Sequence, residues 1–200
     1  MRHIVKNRRG FTLVEMMLSL AIISIIFGLT TALMVSINDS FTLTYNLNDS
    51  TDYAMLYGSA IENSVLSQIS KKDKSSWECG TYSPSGGTES GDEQNSILMI
   101  TSASSGTSPV FEPHQMKTKQ NGTGAVVDKW RIEMYFNVSG SIVNYVVLVY
   151  DNYYNPTQPL MCKYEGSFWI PHSTASVSVD TTSSTNSLAG TGYYSKLIYS

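Results

Sequence analysis

The sequence predicts an α+β fold in which one long N-terminal helix lies on an antiparallel β-sheet. Three observations carry this expectation: an apolar run from Phe11 to Ile37 with one charge in it, a helical apolar stripe that prolongs the run towards residue 70, and two-residue alternation from Trp130 onwards. A helix and a sheet each bury one face, so runs of the two kinds are expected to pair as layers.

The first element is the apolar run, in which Glu15 is the only formal charge. At about 1.5 Å per residue a helix over it reaches roughly 40 Å, more than the ~30 Å hydrocarbon core of a bilayer. Arg2, Lys6, Arg8 and Arg9 precede it and no Lys or Arg follows before Lys71. The positive-inside bias then keeps the N-terminus cytoplasmic and places the rest outside.

The second element is the stripe Leu43, Leu47, Ala54, Ile61, Val65 and Ile69, spaced by fours and sevens. It reads as one helix face, locally weakened by Gly58, with an end expected between Ile69 and Asp73.

The sheet follows. Trp130, Ile132, Met134 and Phe136 alternate with Arg131, Glu133 and Tyr135, Val138-Ser139-Gly140 has turn chemistry, and Ile142 to Tyr150 returns. This is a hairpin pattern. Val146 to Val149 is apolar on both faces, as in a central strand covered on one side by the helix and on the other by a loop or neighbour. Further strands are expected at Ser96–Thr101, Met161–Tyr164, Ser167–Ile170 and Tyr194–Tyr199, with a turn at Glu165-Gly166. The segments 80–95, 102–109 and 173–187 are rich in Gly, Ser, Thr and Pro and read as loops, the last also as a glycosylation target.

Charge is unevenly placed. Removing the first ten residues leaves nine basic groups against 16 acidic ones, a balance of −7 that argues against a general phosphate-binding surface. Cys79 and Cys162 are the only cysteines. Outside the cytoplasm they can form a disulfide closing a long loop, worth about 4 kcal/mol in the chain-entropy model, or stand as two unpaired thiols.

No CxxC, HExxH, P-loop or GxSxG pattern is present, so neither an enzyme nor a cofactor is expected. Gly122-Thr123-Gly124 lacks the third glycine of a dinucleotide fingerprint and suits a hairpin loop. His3, His114 and His172 are scattered, and Asp151, Asn152 and Asn155 suit a tight turn better than a calcium loop, so no metal is expected.

An ordinary secretory signal places its small residues after the apolar core. Here Gly10 comes before it, and GFTLVEMMLSLAIISIIFGL resembles the class III signal of type IV prepilins and type II secretion pseudopilins. Gly10, Phe11, Thr12, Leu13, Val14 and Glu15 match the motif residue by residue. Ala32 departs from the family pattern, since many pilins have a proline in this half of the helix. The resemblance implies cleavage by prepilin peptidase between Gly10 and Phe11 and methylation of the new Phe11 amine. It also implies a pilin-like fold and a structural subunit rather than an enzyme. The length after Gly10 suggests a minor subunit.

The implied partners are prepilin peptidase, other pilin or pseudopilin subunits, an inner-membrane assembly platform and, before assembly, the lipid bilayer. The implied segments are a removed leader at 1–10, a membrane or filament-core helix at 11–37, its amphipathic continuation at 38–72 and an exported β-rich domain at 73–200. The protein would be a single-pass inner-membrane protein that later joins a surface or periplasmic filament of a pilus, secretion or competence system. A carboxylate deep in a spanning helix is unfavourable by roughly 3 kcal/mol. Glu15 is therefore expected to pair, in the filament, with the Phe11 amine of a neighbouring subunit. The alternative reading is a fibre-tip module that captures DNA, a surface or a secreted substrate. For DNA the densest basic cluster outside the leader is Lys71, Lys72 and Lys74, which Asp73 makes a solvated helix end by default.

Overall fold

The computed structural model describes residues 12–70, 77–82, 97–102, 106–111, 117–119, 121–124, 126–153, 159–170 and 177–199. The chain falls into two compact units that divide between Tyr45 and Asn46.

A single helix, α1 (Leu13–Ser70, 58 residues), opens the described chain. It contains no proline; its described part runs to Ser70, and the predicted end between Ile69 and Asp73 falls partly outside the described residues. Among the described residues ten strands follow: β1 (Trp77–Tyr82), β2 (Ile97–Ser102), β3 (Gly106–Phe111), β4 (Lys117–Lys119), β5 (Val126–Asp128), β6 (Trp130–Ser139), β7 (Ile142–Asp151), β8 (Leu160–Trp169), β9 (Val177–Val179) and β10 (Lys196–Tyr199). They form a five-stranded sheet ordered β3-β2-β1-β10-β9, a β4-β5 pair and a three-stranded sheet ordered β6-β7-β8. Every pairing is antiparallel, which gives the α+β class.

In the second unit, residues 46–70 of α1 cover the three-stranded sheet. Ala54, Tyr57, Ile61 and Val65 share one core with Trp130, Ile132, Met134 and Phe136 of β6 and Val143, Tyr145, Val147 and Val149 of β7. Cys79 of β1 and Leu197 of β10 bring the five-stranded sheet into the same core. The opposite face of β7 is also closed: Val146, Leu148 and Tyr150 pack with Tyr135, Ala189 and Tyr193. The Val146–Val149 run is therefore apolar because both of its faces are buried, one by the helix and one by the loop before β10.

The β6–β7 hairpin turns through Gly140 and Ser141, with Gly140 at φ 61° and Ser139 opposite Ile142. That backbone sign is the one a two-residue hairpin turn needs, and glycine adopts it without strain.

Three expectations are corrected. Glu165-Gly166 is not a turn, because β8 runs through it without a break. Gly166 instead lies against the Tyr145 ring, where a Cβ would collide with the phenol. The helix stripe is shorter than predicted: Ala54, Ile61 and Val65 are buried, with Tyr57 and Gly58 beside them, but Leu43 and Leu47 are exposed. Finally, β1, β3 and β9 take up residues that read as loop.

Candidate functional site

The site begins where α1 begins. Thr12 is the residue before the helix and Glu15 lies in its first turn. The Thr12 backbone N–H donates to Glu15 Oε2 at 2.8 Å, and the Thr12 hydroxyl donates to the same oxygen at 3.0 Å. The Glu15 N–H donates back to Thr12 Oγ1 at 3.3 Å. This is a reciprocal capping box, which satisfies donors that a helix N-terminus otherwise leaves open and sets a carboxylate at the positive end of the helix dipole. Sequence reasoning treated Glu15 as a charge in an apolar run and missed its local partner. The signal was present as T-L-V-E, the Thr-x-x-Glu spacing of that motif.

From this cap the helix presents a bare apolar surface. Leu13 is 76% exposed, Phe27 72%, Met34 75% and Phe41 72% among the described residues. The helix is long and apolar enough to cross a membrane, and none of its most apolar window is buried. Its hydroxyls are satisfied within the helix. Ser19 donates to the Glu15 carbonyl at 2.7 Å, Ser24 to Leu20 at 2.8 Å, Thr30 to Ile26 at 3.0 Å and Thr31 to Phe27 at 2.8 Å. Each such bond removes a polar group that hydrocarbon would otherwise leave unpaired.

Two carboxylates on the later turns of α1 fix it to the sheet of the second unit. Asp49 Oδ2 accepts from Lys129 Nζ at 3.0 Å and from Trp130 Nε1 at 2.8 Å, and Lys129 Nζ lies 4.5 Å from the Trp130 ring centroid. Glu62 Oε1 accepts from the Tyr145 hydroxyl at 2.7 Å. Burial, and then the Glu62 carboxylate, hold the Tyr145 phenol well above its usual range. On the other face, Glu133 Oε2 accepts from the Tyr135 hydroxyl and from Asn186 Nδ2, each at 3.0 Å. This clips the loop before β10 onto the sheet. Burial and Glu133 push the Tyr135 phenol up as well.

Of the residues singled out from sequence, Gly10 and Phe11 lie outside the described residues, as do Lys71, Lys72, Lys74, Asn155 and the three histidines. Of the two alternatives for Cys79 and Cys162, the structure has both as free thiols. Cys79 is fully buried on β1, and its thiol is pushed up to about 12 by burial. Cys162 stands on β8, in the other sheet, within 3.8 Å of the Thr51 hydroxyl. Asp151 and Asn152 serve a turn: Asp151 Oδ1 accepts from the Tyr153 N–H at 2.8 Å, and Asn152 Nδ2 donates to the Asp128 carbonyl at 2.8 Å. Gly122 and Gly124 have φ of 88° and 69° in the link between β4 and β5, which is the hairpin loop expected there. Among the described residues no group of three or more His, Cys, Asp or Glu side chains forms a metal site.

Residues 5–31 match the family model described as the prokaryotic N-terminal methylation motif. The match spans the capping box and the first part of the bare helix, and the chain thus carries the class III signal of type IV pilin-like proteins. No characterised protein and no solved structure matches the chain significantly. The motif supports a pilin-like or pseudopilin-like protein processed by prepilin peptidase, a structural subunit rather than an enzyme. With the long apolar helix it fits anchoring in the inner membrane before assembly.

Proposed function

We propose that the chain is a minor pilin or pseudopilin subunit of a type IV pilus or of a type II secretion or competence pseudopilus. The carrying observation is an apolar helix surface that is exposed among the described residues and overlaps the methylation motif. Prepilin peptidase cuts between Gly10 and Phe11 and methylates the new amine. The bilayer covers the helix first, and neighbouring helices cover it after assembly. Contacts in such an open helical polymer are heterologous, each subunit offering different faces above and below.

Glu15 acts at the step between the two environments. In the single subunit its carboxylate is held by Thr12, which offers it two donors. In the filament the Phe11 amine of a neighbour adds a full positive charge to that carboxylate and sets the axial register, because a charged pair in low dielectric is far stronger than the neutral donors it supplements. The domain after the spanning segment is carried outside and decorates the polymer.

The test is the intact mass and N-terminal residue of the protein recovered from membranes and from sheared filaments. A chain starting at Phe11 with one added methyl group supports the reading. An uncut Met1 form in cells with active prepilin peptidase overturns it.

A further inference from the structure

The turn between β4 and β5 holds the chain's single Asn-Gly pair, Asn121-Gly122. Both residues are exposed. The Asn121 backbone N–H is tied to the Tyr153 carbonyl at 2.7 Å, but among the described residues its side-chain amide makes no hydrogen bond. Gly122 has φ 88°, and nothing lies within 4 Å of the position a Cβ would take. Open space beside Gly122 therefore leaves the turn uncrowded on that side.

Three other asparagines of the second unit are held by side-chain hydrogen bonds. Asn186 Nδ2 donates to Glu133 Oε2 and to the Tyr150 hydroxyl, and its Oδ1 accepts from the Leu188 N–H. Asn137 Nδ2 donates to the Gly192 carbonyl at 2.7 Å, and buried Asn152 donates to Asp128. Asn38, Asn46, Asn48 and Asn63 lie inside α1, where the next backbone nitrogen is engaged in the helix ladder.

We infer that Asn121-Gly122 is a site of spontaneous covalent modification, at which the Asn121 amide is lost through a cyclic imide. The Gly122 backbone nitrogen, on losing its proton, attacks Asn121 Cγ. A C–N bond forms, the Cγ–Nδ2 bond breaks, and Nδ2 leaves as ammonia after taking up a proton. Water then opens the five-membered imide at either carbonyl. Opening at one returns an ordinary aspartate, and opening at the other gives an isoaspartate whose main chain runs through the former side chain. The sum is one water consumed and one ammonia released, with no change of oxidation state. The pairing suits the chemistry: asparagine is the heat-labile partner, and glycine alone brings no Cβ to obstruct the ring. Each event adds one negative charge to the turn, and the isoaspartate also lengthens the main chain beside the tie to Tyr153.

The test uses the full chain in detergent micelles, incubated at mildly alkaline pH beside the variant Asn121→Gln. Peptide mapping by mass, with isoaspartate read by enzymatic methyl labelling, follows each asparagine. The expected result is conversion concentrated in the Asn121 peptide, faster at higher pH and giving both aspartate and isoaspartate, with labelling at background in Asn121→Gln. Unfolding in denaturant should raise conversion at Asn186 and Asn137, which the fold protects. Retention of the Asn121 amide in the folded chain, whether or not other asparagines convert, overturns the inference.

Discussion

The Tyr145 hydroxyl and Glu62 Oε1 meet at 2.7 Å across 83 positions of chain, joining the central strand of one sheet to the helix that covers it. The Tyr145 ring tilts against Tyr164 and Phe168, with centroids 6.3 and 6.2 Å away. Replacing Tyr145 with Phe keeps this packing and strips the half-buried Glu62 of its donor. A loss of about 1–3 kcal/mol is expected, the penalty for leaving one partner of a shielded polar pair unsatisfied. Denaturant unfolding of the full chain in detergent measures it.

Gly58 makes the same contact possible from the helix side. A Cβ there would stand 2.7 Å from Tyr164 Cε1 and 2.9 Å from the Tyr145 hydroxyl oxygen. On helix propensity alone Gly58→Ala gains about 1 kcal/mol, but overpacking a tight site loses about 1–3 kcal/mol. Destabilisation is the expected sign, and a variant more stable than wild type would refute the tight packing of this helix face.

Asp49 shares one oxygen between Lys129 and Trp130. Asp49→Ala leaves a partly shielded ammonium and an indole N–H unpaired, and an unfolding free energy lower by about 1–3 kcal/mol is expected. Asp49→Asn keeps an acceptor for the indole and should recover part of the loss. Tryptophan fluorescence provides the readout.

Glu15→Leu should leave cleavage at Gly10 and membrane insertion intact while reducing incorporation into filaments. Thr12→Ala removes one donor to Glu15 and the acceptor for the Glu15 N–H, and is expected to weaken the helix start by about 1 kcal/mol. Comparing membrane-bound and sheared fractions by immunoblot separates the two effects. Normal incorporation of the Leu variant would remove the assembly role of Glu15.

Cys79 makes stability depend on alkaline pH. Burial disfavours the thiolate and pushes the folded-state thiol up to about 12, above its ordinary value of 9.0. Below pH 9 both states hold the proton and pH has no effect through this group. Between 9 and 12 the unfolded chain ionises first, so stability falls by up to about 1.4 kcal/mol per pH unit. Tyr145 and Tyr135 push in the same direction at higher pH. In Cys79→Ala the decline over that window should be shallower, as read from denaturant midpoints at pH 8, 10 and 11.

What the sequence disclosed divides along physical lines. The Trp130–Tyr150 hairpin was legible because its alternation is local and its turn has a glycine where one is needed, and Val146–Val149 was legible because burial on two faces leaves no polar position. The break wrongly placed at Glu165-Gly166 shows the limit: a glycine that opens a turn and a glycine that admits a neighbouring ring look alike in one dimension. β1 and β3 were hidden because Gly, Ser, Thr and Pro dominate much of their surroundings, and their strand character depends on partners distant in sequence. Leu43 and Leu47 kept helical spacing yet stayed exposed, since periodicity fixes a face and not what covers it. At the site, the charge of Glu15 stands out in an apolar run, whereas its cap rests on the Thr12-x-x-Glu15 spacing, a weaker signal inside the same run.

The pairing of β1 with β10 sets an order in time. Trp77 lies opposite Tyr199, so the middle of the five-stranded sheet waits for the last residues of the chain. The β6–β7 hairpin can form as soon as its own residues are free, whereas β1 must remain without this neighbour until more than a hundred further residues have been released. Contacts of such long sequence separation form late and slowly. A chain shortened by its final strand would thus stall with β1 and β9 unjoined, and a quality-control protease would meet that stalled species rather than a slightly weakened native one.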